Sequence, residues 1–432
     1  MRAAPATGRL ARMPAPPSAP GPARHVLVLG GGVAGIECLL GLRDLLGAAV
    51  DLALLTDAEE FWYRPLAIGE PFGAGAATHH PIARIAADCG AAVLHGVAEA
   101  VDVGAHTVLT RDGERYVYDA LVVAVGAVPH LPLGRAMMLD PRPAMLEGLL
   151  AEVDAGTTRR VAIVISDGPH WVLPAYELAL LLAAHGRDRG MDELEITVVT
   201  AEAGPLDLLG PEPSQAVADR LRGAGVRLVC GATAELQEGR RIRVVCGAGH
   251  EPFDVDQVVA LPELRAPAID GLPAGPGGFL PVDAHGRVEG APGVYAAGDC
   301  TARPVKQGGL SAQQADAVVE HLAFRAGALE DPQPYRPVLR GRLLTGDAPV
   351  YVRHELRSGA PPAEMAGHAL WWPPAKIAGR WLAPYLQARD DGAAGLAHPP
   401  AHGRPIEVPL DAPQMPVPRH LELLGTEPPV RP

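Results

Sequence analysis

The amino-terminal residues whose type and spacing could do chemistry are glycines. Gly30, Gly32 and Gly35 lie in the run Gly30-Gly31-Gly32-Val33-Ala34-Gly35. His25 to Leu29 before them reads as a short buried strand, and a Leu-rich helical pattern follows from Ile36 to about Leu46. Val50 to Leu55 reads as a second strand. Glycines at this spacing, between a strand and a helix, serve to cradle a dinucleotide pyrophosphate. Gly30 permits the tight turn, Gly32 lets the backbone approach the phosphates, and Gly35 lets the helix lie close on the strand. The helix N-terminus then offers unpaired N–H groups and a partial positive charge. The ribose of such a ligand calls for an acceptor at the end of the second strand. Thr56 stands there and Asp57 follows it; either could serve, and Asp57 could equally cap a turn.

Three later segments extend the pattern. Tyr118 to Pro129 holds an apolar strand ending in the Gly126-Ala127 turn. Gly293 to Cys300 is a short apolar strand that ends in Gly298-Asp299. Lys306-Gln307-Gly308-Gly309 opens a helical pattern from about Leu310 to Ala326. Phe61-Trp62-Tyr63-Arg64-Pro65 concentrates aromatics in a chain with few, either as a core cluster or as a ligand-facing segment.

In this order the segments resemble the two-dinucleotide-domain flavoprotein superfamily that includes pyridine nucleotide–disulfide reductases. Within it the chain is most similar to the sulfide:quinone oxidoreductase and type II NADH dehydrogenase branch, over about residues 25–330. The resemblance implies an α/β fold with two Rossmann-like domains of three-layer ββα architecture, a small C-terminal extension, and FAD as cofactor. It implies that Asp299 binds the ribityl chain, that the Gly126 turn passes near the adenosine diphosphate, and that the helix from Gly309 points at the flavin pyrimidine ring. It further implies cofactor contacts from Val33, Ala34, Arg64, Ala98, Ala124, Gly298 and Leu310. A cation near that ring end favours the charge that forms on reduction. Lys306 is a candidate for that role, with an ordinary surface lysine as the alternative.

The second domain departs from the family pattern. Val161 to Ile165 is a buried strand, but Asp167-Gly168-Pro169-His170-Trp171 replaces a second GxGxxG, so backbone cradling of NAD is not expected. Pro174-Ala175-Tyr176-Glu177 resembles the corresponding stretch of sulfide:quinone oxidoreductases. That branch works through one cysteine where this chain places Trp171 and a second near Leu343 to Asp347, and neither position holds sulfur. The five cysteines, Cys38, Cys89, Cys230, Cys246 and Cys300, form no CxxC pair and have no metal-ligand spacing, so no metal is expected. His170 is a candidate proton donor or a solvated loop histidine. Glu177 is a candidate acid–base residue or a helix cap.

Composition bounds the rest. The 432 residues exceed one sheet-based core, and the expected division is a tail at 1–24, an FAD domain at 25–150 and 271–330, a second dinucleotide fold at 151–270 and an extension at 331–432. The net charge of -13 argues against nucleic acid as a partner. No run reaches the length of a membrane span. Leu370 to Leu386 gathers Trp371, Trp372, Trp381 and Tyr385, which could dock on a membrane surface, cover the flavin domain or form a dimer contact. The expected location is the cytoplasm or the inner face of a membrane. The expected function is electron transfer through FAD from a small donor to a quinone or other acceptor. Its alternatives are an NAD(P)H dehydrogenase with an atypical site and a flavin-binding sensor.

Overall fold

The first domain is built on His25–Leu29 (β1), four of whose five side chains are buried. Three residues of turn lead into Val33–Leu46 (α1), and the chain returns through Asp51–Thr56 (β2). The computed structural model describes residues 24–390, apart from 132, 135, 140–141, 169, 238–241 and 247–250, together with 406–407. The tail expected at the amino terminus and the Pro-rich carboxy-terminal tail otherwise lie outside the described residues.

Ala91–His95 (β3) and Ala120–Val123 (β4) continue the sheet, and both pair parallel to their neighbours. A three-stranded antiparallel excursion, Ala98–Asp102, Thr107–Thr110 and Arg115–Val117, lies between them in sequence. Strand periodicity sends Val26 and Val28 towards the helices, and Leu27 and Leu29 towards the antiparallel layer. The chain then leaves through Val128–His130, which pairs antiparallel with the returning Glu263–Arg265.

The second domain repeats the plan. Arg160–Ile165 (β5), Leu173–Asp188 (α2), Glu195–Thr200 (β6), Arg227–Val229 (β7) and Gln257–Leu261 (β8) form a parallel sheet in the order β8-β5-β6-β7, with Met137–Met138 at its outer edge. Val161, Ile163 and Ile165 pack on helices, and Ala162 and Val164 on a small antiparallel sheet. Val294–Ala296 (β9) then completes the first sheet in the order β9-β4-β1-β2-β3, and Gly308–Arg325 (α3) packs beside α1. Two Rossmann-like ββα domains result, as the sequence implied.

Two helices begin earlier than their apolar patterns suggest: α1 at Val33 rather than Ile36, and α3 at Gly308 rather than Leu310. Glycine's low helix propensity hides both starts. At α3 the Gln307 side chain accepts from Leu310 N at 2.8 Å and donates to Arg340 O at 3.1 Å, which holds the first turn in place.

The carboxy-terminal extension holds more structure than its prolines suggest. Val338–Leu343 (β10), Val350–Glu355 (β11) and Glu364–Ala366 (β12) form an antiparallel sheet; the prolines at 334 and 337 precede it, and those at 349, 361 and 362 fall between its strands. Leu382–Asp390 (α4) follows. Trp371 and Trp381 are 0 % exposed and Tyr385 is 4 % exposed, whereas Trp372 is 45 % exposed. Trp381 lies flat on α1, where a β-carbon at Gly41 would come within 2.8 Å of its ring. Its indole N–H donates to Asp44 Oδ2 at 3.0 Å, and the Tyr385 hydroxyl donates to Asp88 Oδ2 at 2.7 Å. Of the roles open to this aromatic cluster, Trp381 and Tyr385 cover the first domain.

The two tryptophan positions should therefore respond differently. Trp381→Ala should cost about 3–5 kcal/mol and lower the first thermal transition, while Trp372→Ala should stay within about 0.5 kcal/mol, as followed by calorimetry.

Candidate functional site

The turns that leave β1, β4 and β9 meet at one end of the first sheet. Gly30 has φ +99°, and a β-carbon on it would lie 2.5 Å from Ala124 O. A β-carbon on Gly35 would lie 1.9 Å from Gly30 O, so only glycine lets α1 lie this close on β1. Gly32 differs. Its φ of -85° and ψ of -170° suit any residue, and a β-carbon there meets nothing within 4 Å. Neither backbone nor neighbours require glycine at this position, which fits a ligand that approaches the main chain closely. Gly298, at φ +86°, abuts the same turn: its β-carbon would lie 3.1 Å from Ala34 Cβ and 3.6 Å from Ser311 Cβ. The amino-terminal glycine turn, the distant Gly298-Asp299 pair and the first turns of α3 thus converge.

Side chains fix this junction. Gly298 N donates to Gln314 Oε1 at 3.1 Å, and the Thr301 hydroxyl lies 2.8 Å from the same oxygen. Ser311 Oγ donates to Asp299 Oδ1 at 3.1 Å. Burial pushes the Asp299 carboxyl above its usual range, opposed by Lys306, the Ser311 hydrogen bond and Arg64. Lys306 is not a surface residue. It is 4 % exposed, donates to Thr301 O, and sits 3.8 Å from the centroid of the Phe279 ring. Burial lowers its pKa to about 8, against the pull of Asp299.

The remaining sequence candidates lie around the same sheet end. Thr56 closes β2, is 5 % exposed and accepts from Ala58 N at 3.2 Å, whereas Asp57 is exposed. Gly96 N donates to Thr56 O at 3.2 Å, which brings the turn into Ala98 beside it. Gly126 has φ +70° and open space where a β-carbon would be. Val33 and Ala34 open α1, and Gly309 lies in the first turn of α3. Leu310 is 2 % exposed and its amide is taken by Gln307. Phe61 is core, while the Arg64 guanidinium lies 5.7 Å from the Trp62 ring and acts on Asp299.

Among the described residues the second domain shows no matching cradle. Seven residues, Ser166 to Val172, separate β5 from α2, where three separate β1 from α1. Glu202 follows β6, the place for a ribose acceptor, but it accepts hydrogen bonds from the Tyr176 hydroxyl and from Thr200 Oγ1 at 3.3 Å. Trp171 lies against β10, its indole 3.6 Å from the β-carbon position of Gly341. His170 is half-buried, not solvated, and burial lowers its pKa despite Asp167 and Glu263.

Glu177 is no helix cap. It is the fifth residue of α2 and 0 % exposed, and Lys376 Nζ lies 2.6 and 2.8 Å from its two oxygens. Leu344 N donates to it at 2.9 Å. Burial raises its pKa, and Lys376 opposes the shift. Sequence reasoning missed Lys376, whose one signal was being one of two lysines.

The two segments in which the resemblance expects cysteines are thus spatial neighbours without sulfur. Burial pushes up the thiols of Cys38, Cys89, Cys230 and Cys300, to about 12 for Cys89 and Cys300. These thiols carry almost no thiolate near neutrality.

Two ββα folds, one closed around a glycine turn and a Gly-Asp pair, define an FAD-binding flavoprotein oxidoreductase. The chain belongs to the pyridine nucleotide-disulphide oxidoreductase family, whose profile matches residues 24–317. A sulfide-quinone reductase of Aquifex aeolicus strain VF5 is 29 % identical over 195 residues, 42 % of this chain and 44 % of that protein, so the match spans less than half of the relative. Among solved structures, the sulfide:quinone oxidoreductase of Aquifex aeolicus superposes with a TM-score of 0.70 at 18 % identity, over 79 % of this chain and 86 % of that one. An NAD-dependent persulfide reductase from A. fulgidus gives 0.59 at 19 % identity, over 77 % and 64 %. A ferredoxin reductase from Rhodopseudomonas palustris gives 0.57 at 22 % identity, over 77 % and 82 %.

The glycine geometry separates folding from cofactor binding. Gly32→Val should fold with an unchanged far-UV spectrum yet purify without flavin colour. Gly35→Ala should lower the melting temperature, because its methyl group meets the Gly30 carbonyl.

Proposed function

We propose that the protein passes electrons through FAD from a small donor to a quinone or other small acceptor, without a redox cysteine of its own. One observation carries this reading: the glycine turn of Gly32 abuts Gly298 beside Asp299 and Lys306, while Trp171 lies against Gly341 and Leu344 bonds Glu177, with no sulfur in either segment. Bound FAD supplies two-electron transfer, with negative charge developing at the pyrimidine end of its ring. The chain supplies the surroundings. The α1 N-terminus and Gly32 hold the pyrophosphate, and Asp299 accepts from the ribityl hydroxyls. The first turn of α3 and Lys306 place positive potential where the charge develops, while the desolvated setting strengthens each interaction.

The likeness to sulfide-quinone reductase supports a quinone as acceptor. The long β5–α2 turn and the engaged Glu202 count against NAD(P)H as donor, and the missing cysteines count against a sulfur-transfer route. Among the described residues no helix is long and apolar enough to cross a membrane.

Anaerobic addition of NADH, NADPH or sulfide to the purified protein, followed by visible absorption, tests this. NADH and NADPH should leave the flavin band intact, and sulfide should not bleach it at a catalytic rate. A dithionite-reduced sample should recover its colour on adding a short-chain ubiquinone. Rapid bleaching by either nucleotide would sink the reading of the second domain.

Lys306 has a pH signature. Its charge is present below pH about 8 and lost above it. The flavin midpoint potential should therefore lie higher than that of Lys306→Met at pH 6–7, with the gap closing above pH 8, as read by equilibrium redox titration.

A further inference from the structure

The two dinucleotide folds carry a glutamate at the same place. Glu37 is the fifth residue of α1 and Glu177 the fifth of α2, and both are 0 % exposed. Neither belongs to a glycine turn, and each is satisfied by the same short stretch of the extension. Glu177 takes the Lys376 ammonium. Glu37 accepts from Trp381 N at 2.8 Å and Leu382 N at 2.7 Å, and Asp316 of α3 shares a hydrogen bond with it. Gly379 passes so close that a β-carbon there would lie 2.6 Å from Glu37 Oε2.

Between these anchors the stretch touches the site. Ile377 N donates to the Tyr63 hydroxyl at 3.2 Å, one residue before Arg64. The Ile377 side chain lies 2.6 Å from the β-carbon position of Gly308, the first residue of α3. Arg380 Nη1 bonds Glu320 of α3 at 2.8 Å.

We propose that residues 376–382 form an interdomain clasp, with Glu37 and Glu177 as positioning residues that together fix the first turn of α3 through Ile377. The physical reason is the cost of leaving buried carboxylates short of donors. Opening the clasp takes the Lys376 ammonium from Glu177, leaving it Leu344 N, and takes two backbone donors from Glu37, leaving it Asp316, so both anchors favour the closed arrangement. An extended chain of this length reaches roughly 20–25 Å, enough to tie two packed domains. The role of α3 rests on the proposed placement of its N-terminal turn at the flavin.

Limited trypsin digestion of the full-length holoprotein tests the clasp, because Arg380 lies within it. Cleavage after Arg380 should speed up by about tenfold or more in both Glu37→Gln and Glu177→Gln. Glu193→Gln, which alters an exposed pair with Arg159, should cleave like the parent protein. The exchanged pair Glu177→Lys with Lys376→Glu should return the rate towards that of the parent. Iodide quenching of flavin fluorescence should also rise in both glutamine variants. Unchanged cleavage in either glutamine variant overturns the clasp. Faster cleavage with unchanged quenching overturns the link to α3. If the protein binds no flavin, the proposed function fails while the digestion still decides the clasp.

Discussion

The close approach of α1 to β1 is the constraint on which the site depends. The Gly30 carbonyl occupies the space where any side chain at position 35 would begin. Because the helix can lie that close, its first turn stands over the end of the sheet. The turn leaving β9 then abuts it through Gly298, and the turn leaving β4 meets Gly30 through Ala124. A helix held farther out would leave its N–H groups aimed away from any phosphate and would separate Ala34 from Gly298.

Charge burial shapes the rest. Glu37, Glu177 and Lys306 sit in the interior, and each is held by named partners. An interior ion costs several kcal/mol unless its donors or acceptors are fixed, so these groups demand a particular arrangement of distant segments. The chain has two lysines, and both lie at such junctions. Arginine, with a larger and more weakly hydrated head group, carries much of the surface pairing instead.

Much of the fold was legible because strand–glycine–helix spacing answers to a backbone requirement visible in one short window. Gly30, Gly32 and Gly35 declare the cradle without help from elsewhere. The parallel strands also stand out, since burial on both faces leaves nearly unbroken apolar runs. Lys306 was ambiguous for the opposite reason: its burial depends on Phe279 and the Thr301 carbonyl, which no local pattern announces. The pairing of Glu177 with Lys376 spans 199 positions and left no trace in either neighbourhood. The carboxy-terminal sheet was obscured because prolines between strands look the same in sequence as prolines that forbid them.

The first dinucleotide fold is interrupted in sequence, and its last strand, helix α3 and the tryptophan that seals α1 all come from beyond residue 290. The second fold has its main strands and helix in one uninterrupted stretch, 160–261. On a ribosome the order of completion therefore reverses the order of synthesis. The second domain can close while translation continues, whereas the amino-terminal strands must wait, with one edge unpaired, until Val294–Ala296 emerges about two thirds of the way along the chain. Loading of the cofactor becomes a late event, governed by the carboxy-terminal third of the chain.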